Sequence, residues 1–368
     1  MKMKVFLKCI FENNLGDDLF IQTVCNRYPD TSFTALARNN LTIKPEIPNL
    51  KVVHFNNSIY KALRKISFQF NRVCAADRFL VSSANLVAAV GGSLFMENKI
   101  YKDSLKADKY YNTYWFEQVK KPLYIIGSNV GPVYNDHYLQ KVKKIFLKAE
   151  DVCLRDQASK DLAGIEKVRT APDVIFGVID DHVNAETEKT AVISVISCKK
   201  KARQMRNFDT EKYREAMIHL ISQLTNQSYN VILYSFCTDE GDEEEIAVLK
   251  ERLGDTYHIS EYFYRGDIDE ALSVMEKAEI IVGTRFHANV IGFAMHKKVV
   301  PVIYNDKTRN LLDEIHFEGS FIDIEKDIYP DVSQLLSNHP LSPELIAQLK
   351  TDAQKQFAGL DQVLKPVQ

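Results

Sequence analysis

Short apolar, β-rich runs recur along this chain, separated by stretches of helix length whose apolar residues fall on one face. In the first half the runs are Val5–Ile10, Leu50–His54, Leu86–Val90, Leu123–Gly127 and Val152–Leu154, and the helical spacings include Gly16–Cys25 and Asp136–Glu150. A second series follows, with strands expected at Ala191–Ser197, Val231–Phe236, Ile280–Val282 and Val299–Tyr304. Helices are expected between them at Glu211–Leu224, Glu243–Leu253 and from about Phe286 to His296. Continuous apolar runs, rather than polar and apolar residues in turn, suit strands buried on both faces, so the pattern predicts parallel sheets covered by helices on each side.

At 368 residues the chain is longer than one core usually organises, which argues for two domains of roughly 180 residues each. The polar, aperiodic stretch Asp180–Thr190 (DDHVNAETEKT) reads as the link. The expected fold is α/β: two doubly wound Rossmann-like domains facing a cleft. Residues 1–182 would form the first and 190–340 the second, while 341–368 would be helices packing back on the domains with no strand after them. In such sheets ligands bind beyond the carboxyl ends of the strands, so chemistry should lie on the loops that follow them.

Charge excludes some functions. The 47 Lys and Arg residues against 49 Asp and Glu leave no general field for a polyanion, and nucleic acid is not expected as a partner. The six cysteines stand singly, without Cys-x-x-Cys or metal-ligand spacing, and read as reduced core thiols. The start turns polar too soon for a signal peptide, and no apolar stretch approaches a membrane span, which predicts a cytoplasmic protein. Neither the Gly-x-x-x-x-Gly-Lys-[ST] phosphate loop nor Gly-x-Gly-x-x-Gly occurs, and neither His-Glu-x-x-His nor Gly-x-Ser-x-Gly is found. Acid/base chemistry without a metal or bound cofactor is the expectation.

The strongest motif is Gly283–His287 (GTRFH), where a buried strand breaks at Gly283 and Thr284 and a helix begins with Arg285 and His287 in its first turn. Free backbone N–H groups and the positive end of the helix favour an anion there. Arginine can grip a carboxylate or phosphate by two parallel bonds, and histidine can move a proton near neutral pH. Pairing of Arg285 with an acid and packing of His287 would explain the same residues without chemistry. His296 reads as structural, inside the helix. After the next strand, Lys307 or Arg309 could complete an anion clamp, and Tyr304 could stack or pack.

The first half repeats the theme of polar loops after strands. Asn14, Gly16 and Asp17 follow the first strand, where Gly16 permits a sharp turn and an aspartate caps the helix, with sugar hydroxyls as a second reading for the asparagines. Gly91, Gly92 and Ser93 follow another strand, and Gly127–Pro132 places Ser128 and Asn129 between glycines. Arg155 stands at a strand end just before Asp156, an expected helix cap, and either reaches into the cleft or pairs with Asp156 or Asp173.

Taken in order, Asn14–Asp18, Gly91–Ser93, Gly127–Pro132, Arg155–Ser159, Ala171–Asp173 and Gly283–His287, with Lys307 beyond, resemble the polysaccharide pyruvyl transferase family. That family is similar in fold to two-domain GT-B glycosyltransferases. The resemblance implies transfer of pyruvate from phosphoenolpyruvate to two hydroxyls of a sugar, giving a cyclic ketal on a surface-polysaccharide precursor. It implies that Arg155, Arg285 and Lys307, with Gly283 and Thr284, hold the donor, and that His287 is the general acid, with Arg285 as its catalytic partner. Asn14, Gly16, Asp17, Gly92, Ser93 and Asn129 would meet the acceptor sugar. A lipid-linked acceptor would bring the protein to the inner face of the membrane. The alternative is a GT-B glycosyltransferase in which Arg285 and Lys307 hold a nucleotide-sugar diphosphate, and a further one is a catalytically silent member of an assembly complex.

Overall fold

A computed structural model describes residues 2–37, 43–54, 75–97, 112–179, 187–205, 208–254, 257–326 and 329–365, and residues 62, 63 and 66 besides. Two compact units account for the chain: the first comprises Met1–Glu12, Asp17–Val174 and Asp352–Gln368, the second Asn13–Gly16 and Ile175–Thr351.

The first unit is built on seven parallel strands: β1 (Lys4–Lys8), β2 (Ser32–Ala37), β3 (Leu50–His54), β4 (Leu86–Val90), β5 (Leu123–Ser128), β6 (Asp151–Leu154) and β7 (Arg169–Thr170), in the order β3-β2-β1-β4-β5-β6-β7. The second has six: β8 (Glu188–Val195), β9 (Asn230–Ser235), β10 (Ile259–Phe263), β11 (Ala278–Gly283), β12 (Lys298–Ile303) and β13 (Ile322–Asp323), in the order β10-β9-β8-β11-β12-β13. Both orders are the doubly wound Rossmann arrangement, so the predicted two-domain Rossmann-like α/β fold is what the chain adopts. The order reverses between β1 and β4 in one unit and between β8 and β11 in the other, which are the places where such sheets bind ligands.

The continuous apolar runs are the sheet centres: all five residues of β4 and all six of β5 are buried. Around the first sheet Phe6 stacks on Trp115 with ring centroids 5.8 Å apart, and Phe95 meets Phe116 at 5.2 Å and Phe146 edge-on at 4.9 Å. Truncating Phe95 to alanine in so closed a cluster should cost about 3–5 kcal/mol. The second core joins Ile193, Val282 and Val300 of the sheet to Tyr213, Met217 and Leu220 of the helix Thr210–Asn226.

Four elements differ from the sequence expectation. β2 and β10 carry polar residues in every other or central positions (SFTALA, ISEYF) and lack the continuous apolar signal of the central strands. β8 begins at Glu188, inside the stretch read as a linker, and the preceding residues 180–186 lie outside the described part. The helix Phe286–Ala294 ends earlier than expected, and His296 sits beyond it in the left-handed region with φ 56°. Helices occur at Pro343–Ala353 and Ala358–Leu364, and residues from Asp352 onward belong to the first unit. Among the described residues no helix is long and apolar enough to cross a membrane.

Candidate functional site

In the second unit β11 runs beside β8 with Gly283 opposite Ser194, so the Gly283–His287 segment leaves the sheet at its reversal point. Ser194 Oγ donates to Val282 O at 3.2 Å and accepts the Arg285 N–H at 3.0 Å, which fixes the turn. The Asn289 side chain closes it from the helix by donating to Gly283 O at 2.8 Å. Arg285 is the residue preceding the helix Phe286–Ala294, and His287 lies in its first turn, as the spacing predicts.

Arg285 is buried and meets two carboxylates. Its Nε donates to Asp242 Oδ2 at 3.1 Å, its Nη2 donates to Asp242 Oδ1, and its Nη1 donates to Glu240 Oε2 at 2.6 Å. Glu240 also takes Lys200 at 3.3 Å and Lys201 at 3.2 Å, so three cations face two carboxylates. Burial opposes the Glu240 charge, but Arg285, Lys201 and Lys200 together hold its carboxyl well below the usual carboxylate range. Asp242 is wholly buried and meets fewer cations, so burial pushes its carboxyl up in spite of Arg285. Burial likewise opposes the Arg285 charge, and Asp242 and Glu240 overcome it, holding the guanidinium well above its ordinary range.

The segment Asn13–Gly16 joins this unit. Leu15 N donates to Phe236 O at 3.1 Å, just beyond β9, and Asn14 pairs with Cys237 in an antiparallel bridge. Asn13 is left-handed with φ 54°, and Asn14 Oδ1 accepts the Gly16 N–H at 3.0 Å. The cap of the helix Leu15–Arg27 is therefore Asn14, whereas Asp17 and Asp18, one of which was expected to cap, lie within its first turn. Gly16 lies against the His287 ring: a Cβ added there would stand 1.8 Å from Nδ1. Only a hydrogen fits at that position.

Lys307 lies in the first turn of the helix Asp306–Glu314, after β12, the neighbour of β11. Arg309 pairs with Asp323 at 3.0 Å. The Tyr304 ring packs edge-on to Phe208 at 6.1 Å, with Lys201 Nζ 5.9 Å from its centroid.

In the first unit the loops after β4, β5, β6 and β7 converge on Arg155. Its Nη1 donates to Asp173 Oδ2 at 3.1 Å and its Nη2 to Asn129 Oδ1 at 2.8 Å, and its side chain is buried. Gly92 makes room for it, since a Cβ there would lie 2.4 Å from Nη1. Asn129 N donates to Gly92 O at 2.8 Å, and Ser128 Oγ donates to Gly91 O at 2.7 Å, which ties the loops that carry Gly92, Ser93 and Asn129. Asp17 Oδ1 lies on the same side, 3.6 Å from where a Cβ on Gly91 would be. Asp156 caps the helix Gln157–Ala163 as expected, accepting the Ser159 N–H at 2.7 Å, and Ser159 Oγ accepts the Val130 N–H at 2.8 Å. The motifs at Gly91–Ser93, Gly127–Pro132, Arg155–Ser159 and Ala171–Asp173 are thus one hydrogen-bonded set.

The sequence pattern of the polysaccharide pyruvyl transferase family matches residues 14–306, from the asparagine cap to the start of the helix bearing Lys307. The chain belongs to that family. The amylovoran biosynthesis protein AmsJ of Erwinia amylovora is 23% identical to this chain over 382 aligned positions, covering 92% of this chain and 83% of AmsJ. Among solved structures, Anabaena HepE in complex with UDP and glucose aligns over 98% of this chain and 96% of its own, with TM-score 0.52 and 13% identity. A putative UDP-N-acetylglucosamine 2-epimerase from Listeria monocytogenes aligns over 100% and 98%, with TM-score 0.59 and 10% identity. At such identities the likeness is one of fold.

Sequence reasoning missed the acids that hold Arg285 and the lysines that meet them. Glu240 and Asp242 stand in an acidic run (TDEGDEEE) that reads as an ordinary helix start, and Lys200 and Lys201 in a basic run that reads as surface. Gln356, which enters the first unit from the far end of the chain, carries no local signal at all.

Proposed function

We propose that this family member transfers pyruvate from phosphoenolpyruvate to two hydroxyls of a sugar, forming a cyclic ketal on a surface-polysaccharide precursor, with His287 as general acid. The observation that carries the reading is the placement of His287 and Arg285 at the start of a helix where the central strand β11 ends, with the His287 ring set against Gly16. The N–H groups of a helix start suit a donor that is both carboxylate and phosphate. Arg155, Arg285 and Lys307 are assigned to these groups, and Gly283 and Thr284 to the backbone turn beside them. Asp242 and Glu240 fix the Arg285 guanidinium in place, and the Nη1 and Nη2 hydrogens that they leave over are the ones this reading gives to the donor.

In the proposed reaction the His287 imidazolium gives its proton to the methylene carbon of phosphoenolpyruvate, leaving C2 electron-poor. The first sugar hydroxyl bonds to C2 and gives up its proton, which restores the imidazolium. The bond from C2 to the phosphate oxygen then breaks, phosphate taking the electron pair, and the second hydroxyl closes the ring as its proton passes to phosphate or water. Asn14, Gly16, Asp17, Gly92, Ser93 and Asn129 are the groups assigned to the acceptor, a sugar carried on a nucleotide or a lipid. No cofactor is required by this chemistry, since phosphoenolpyruvate is a substrate.

The test is incubation of the protein with phosphoenolpyruvate and a panel of nucleotide-linked and polyprenyl-diphosphate-linked sugars. Inorganic phosphate should be released with a product heavier by pyruvate less one water, and His287→Gln should lower the rate by about 10²-fold or more. Release of UDP from a UDP-sugar, with phosphoenolpyruvate untouched, would overturn the proposal in favour of glycosyl transfer.

A further inference from the structure

Gln356 belongs to the short helical turn Gln354–Phe357 near the end of the chain, and its side chain is completely buried. Its Oε1 accepts the Gly127 N–H at 2.9 Å. Its Nε2 donates toward three carbonyls: Ala171 O at 2.6 Å, Leu154 O at 3.2 Å and Pro172 O at 3.2 Å. One amide therefore ties the ends of β5 and β6 and the loop after β7, at residues that lie 229, 202 and 185 positions away in sequence.

These are the loops that Arg155 ties through its own side chain. Leu154 O is the carbonyl directly before Arg155, Pro172 O the one directly before Asp173, and Gly127 stands two residues before Asn129. Gln356 thus grips the backbone directly before Arg155 and Asp173 and two residues before Asn129, the three side chains of the set. An amide is the group suited to this, because it carries an acceptor for one N–H and a donor for carbonyls within a single planar head. A carboxylate would face three carbonyl oxygens with no donor. The end segment is itself held: Arg169 Nη1 donates to Lys355 O at 2.8 Å, and Arg27 and Tyr28 bind Asp361.

We propose that Gln356 is a positioning residue for the first unit, holding Arg155 and Asn129 at the geometry in which they receive substrate. The assignment of Arg155 to phosphoenolpyruvate rests on the function proposed above, whereas the tie between the loops does not.

The experiment compares wild type, Gln356→Met, which keeps volume and loses every bond, and Gln356→Glu, which keeps shape and loses the donor. Amide hydrogen exchange in the absence of substrate should show faster exchange confined to the peptides around Gly127–Asn129 and Leu154–Arg155 in both variants. The dissociation constant for phosphoenolpyruvate, by titration calorimetry, should rise about tenfold, the loss expected of one or two buried hydrogen bonds. Exchange unchanged at those loops in Gln356→Met overturns the proposal whether or not phosphoenolpyruvate is a ligand. Exchange that accelerates over the whole unit in step with a lowered melting temperature also overturns it, since that is the mark of a merely structural residue. Failure of wild type to bind phosphoenolpyruvate, with exchange in the variants still confined to those two peptides, overturns the donor assignment and leaves the positioning role supported.

Discussion

Gly16 lies so close to His287 that a Cβ at position 16 would fall 1.8 Å from the imidazole Nδ1. The asparagine-rich approach after β1 thereby acquires a purpose that capping alone does not give it. Asn13 turns the chain in the left-handed region, Asn14 caps the helix, and Gly16 is delivered against the ring of the proposed acid. Substituting alanine must displace either the ring or the segment. Gly16→Ala is expected to lower kcat at least about 10²-fold, because a displacement near 1 Å of a proton donor carries that order of cost. Phosphate release under single turnover measures it, and a rate within threefold of wild type would show that the contact does not place the acid.

The pair formed by Arg285 and Asp242 is buried, and breaking one side leaves a charge with less compensation than it has now. Asp242→Asn should destabilise the second unit by about 3 kcal/mol. Urea denaturation of the single variants and of Asp242→Asn combined with Arg285→Met reads the coupling. The double variant should lose less than the sum of the two singles, and strict additivity would mean that the pair contributes no interaction energy.

Asp361 anchors the helix Ala358–Leu364 by accepting from Arg27 Nε at 2.9 Å, Arg27 Nη2 at 2.6 Å and Tyr28 Oη at 2.8 Å. Burial opposes its charge, but the bonds from Arg27 and Tyr28 win and its carboxyl lies below the ordinary range. A depressed carboxylate stabilises above the unfolded value, near 3.9, and the contribution is lost as pH falls through the folded value. Asp361→Asn should therefore cost about 1–2 kcal/mol at pH 7, and the difference from wild type should shrink steadily below about pH 4. Urea midpoints across that range check the sign, and a gap that widens in acid would contradict it.

His296 terminates the helix Phe286–Ala294 in a left-handed conformation that a side chain enters at a cost. Its N–H donates to Phe293 O at 3.0 Å, and the next N–H, of Lys297, to Gly292 O at 3.0 Å, so the backbone is committed to this turn. His296→Gly should gain about 0.5 kcal/mol, visible as a higher melting temperature with activity retained. Loss of activity would reassign this histidine to the chemistry.

The amino-acid sequence by itself determined the layers of this protein and the positions of its loops. Leu86–Val90 and Leu123–Gly127 announce buried parallel strands because apolar residues run through them without a charged break, and Gly283–His287 announces a strand-to-helix turn because strand, glycine and helix signals follow within a few residues. These are local effects, and local spacing reports them. Edge-side strands such as β10 were hidden because one face meets solvent and the apolar run is broken. The tertiary structure alone decided which groups meet. It set Asp242 and Glu240 on Arg285, Gln356 beneath Arg155, and Gly16 against His287, across 43, 45 and about 200 or more residues of chain. Such pairings depend on how strands are ordered in the sheet. A side chain's own neighbours in sequence carry no record of that order.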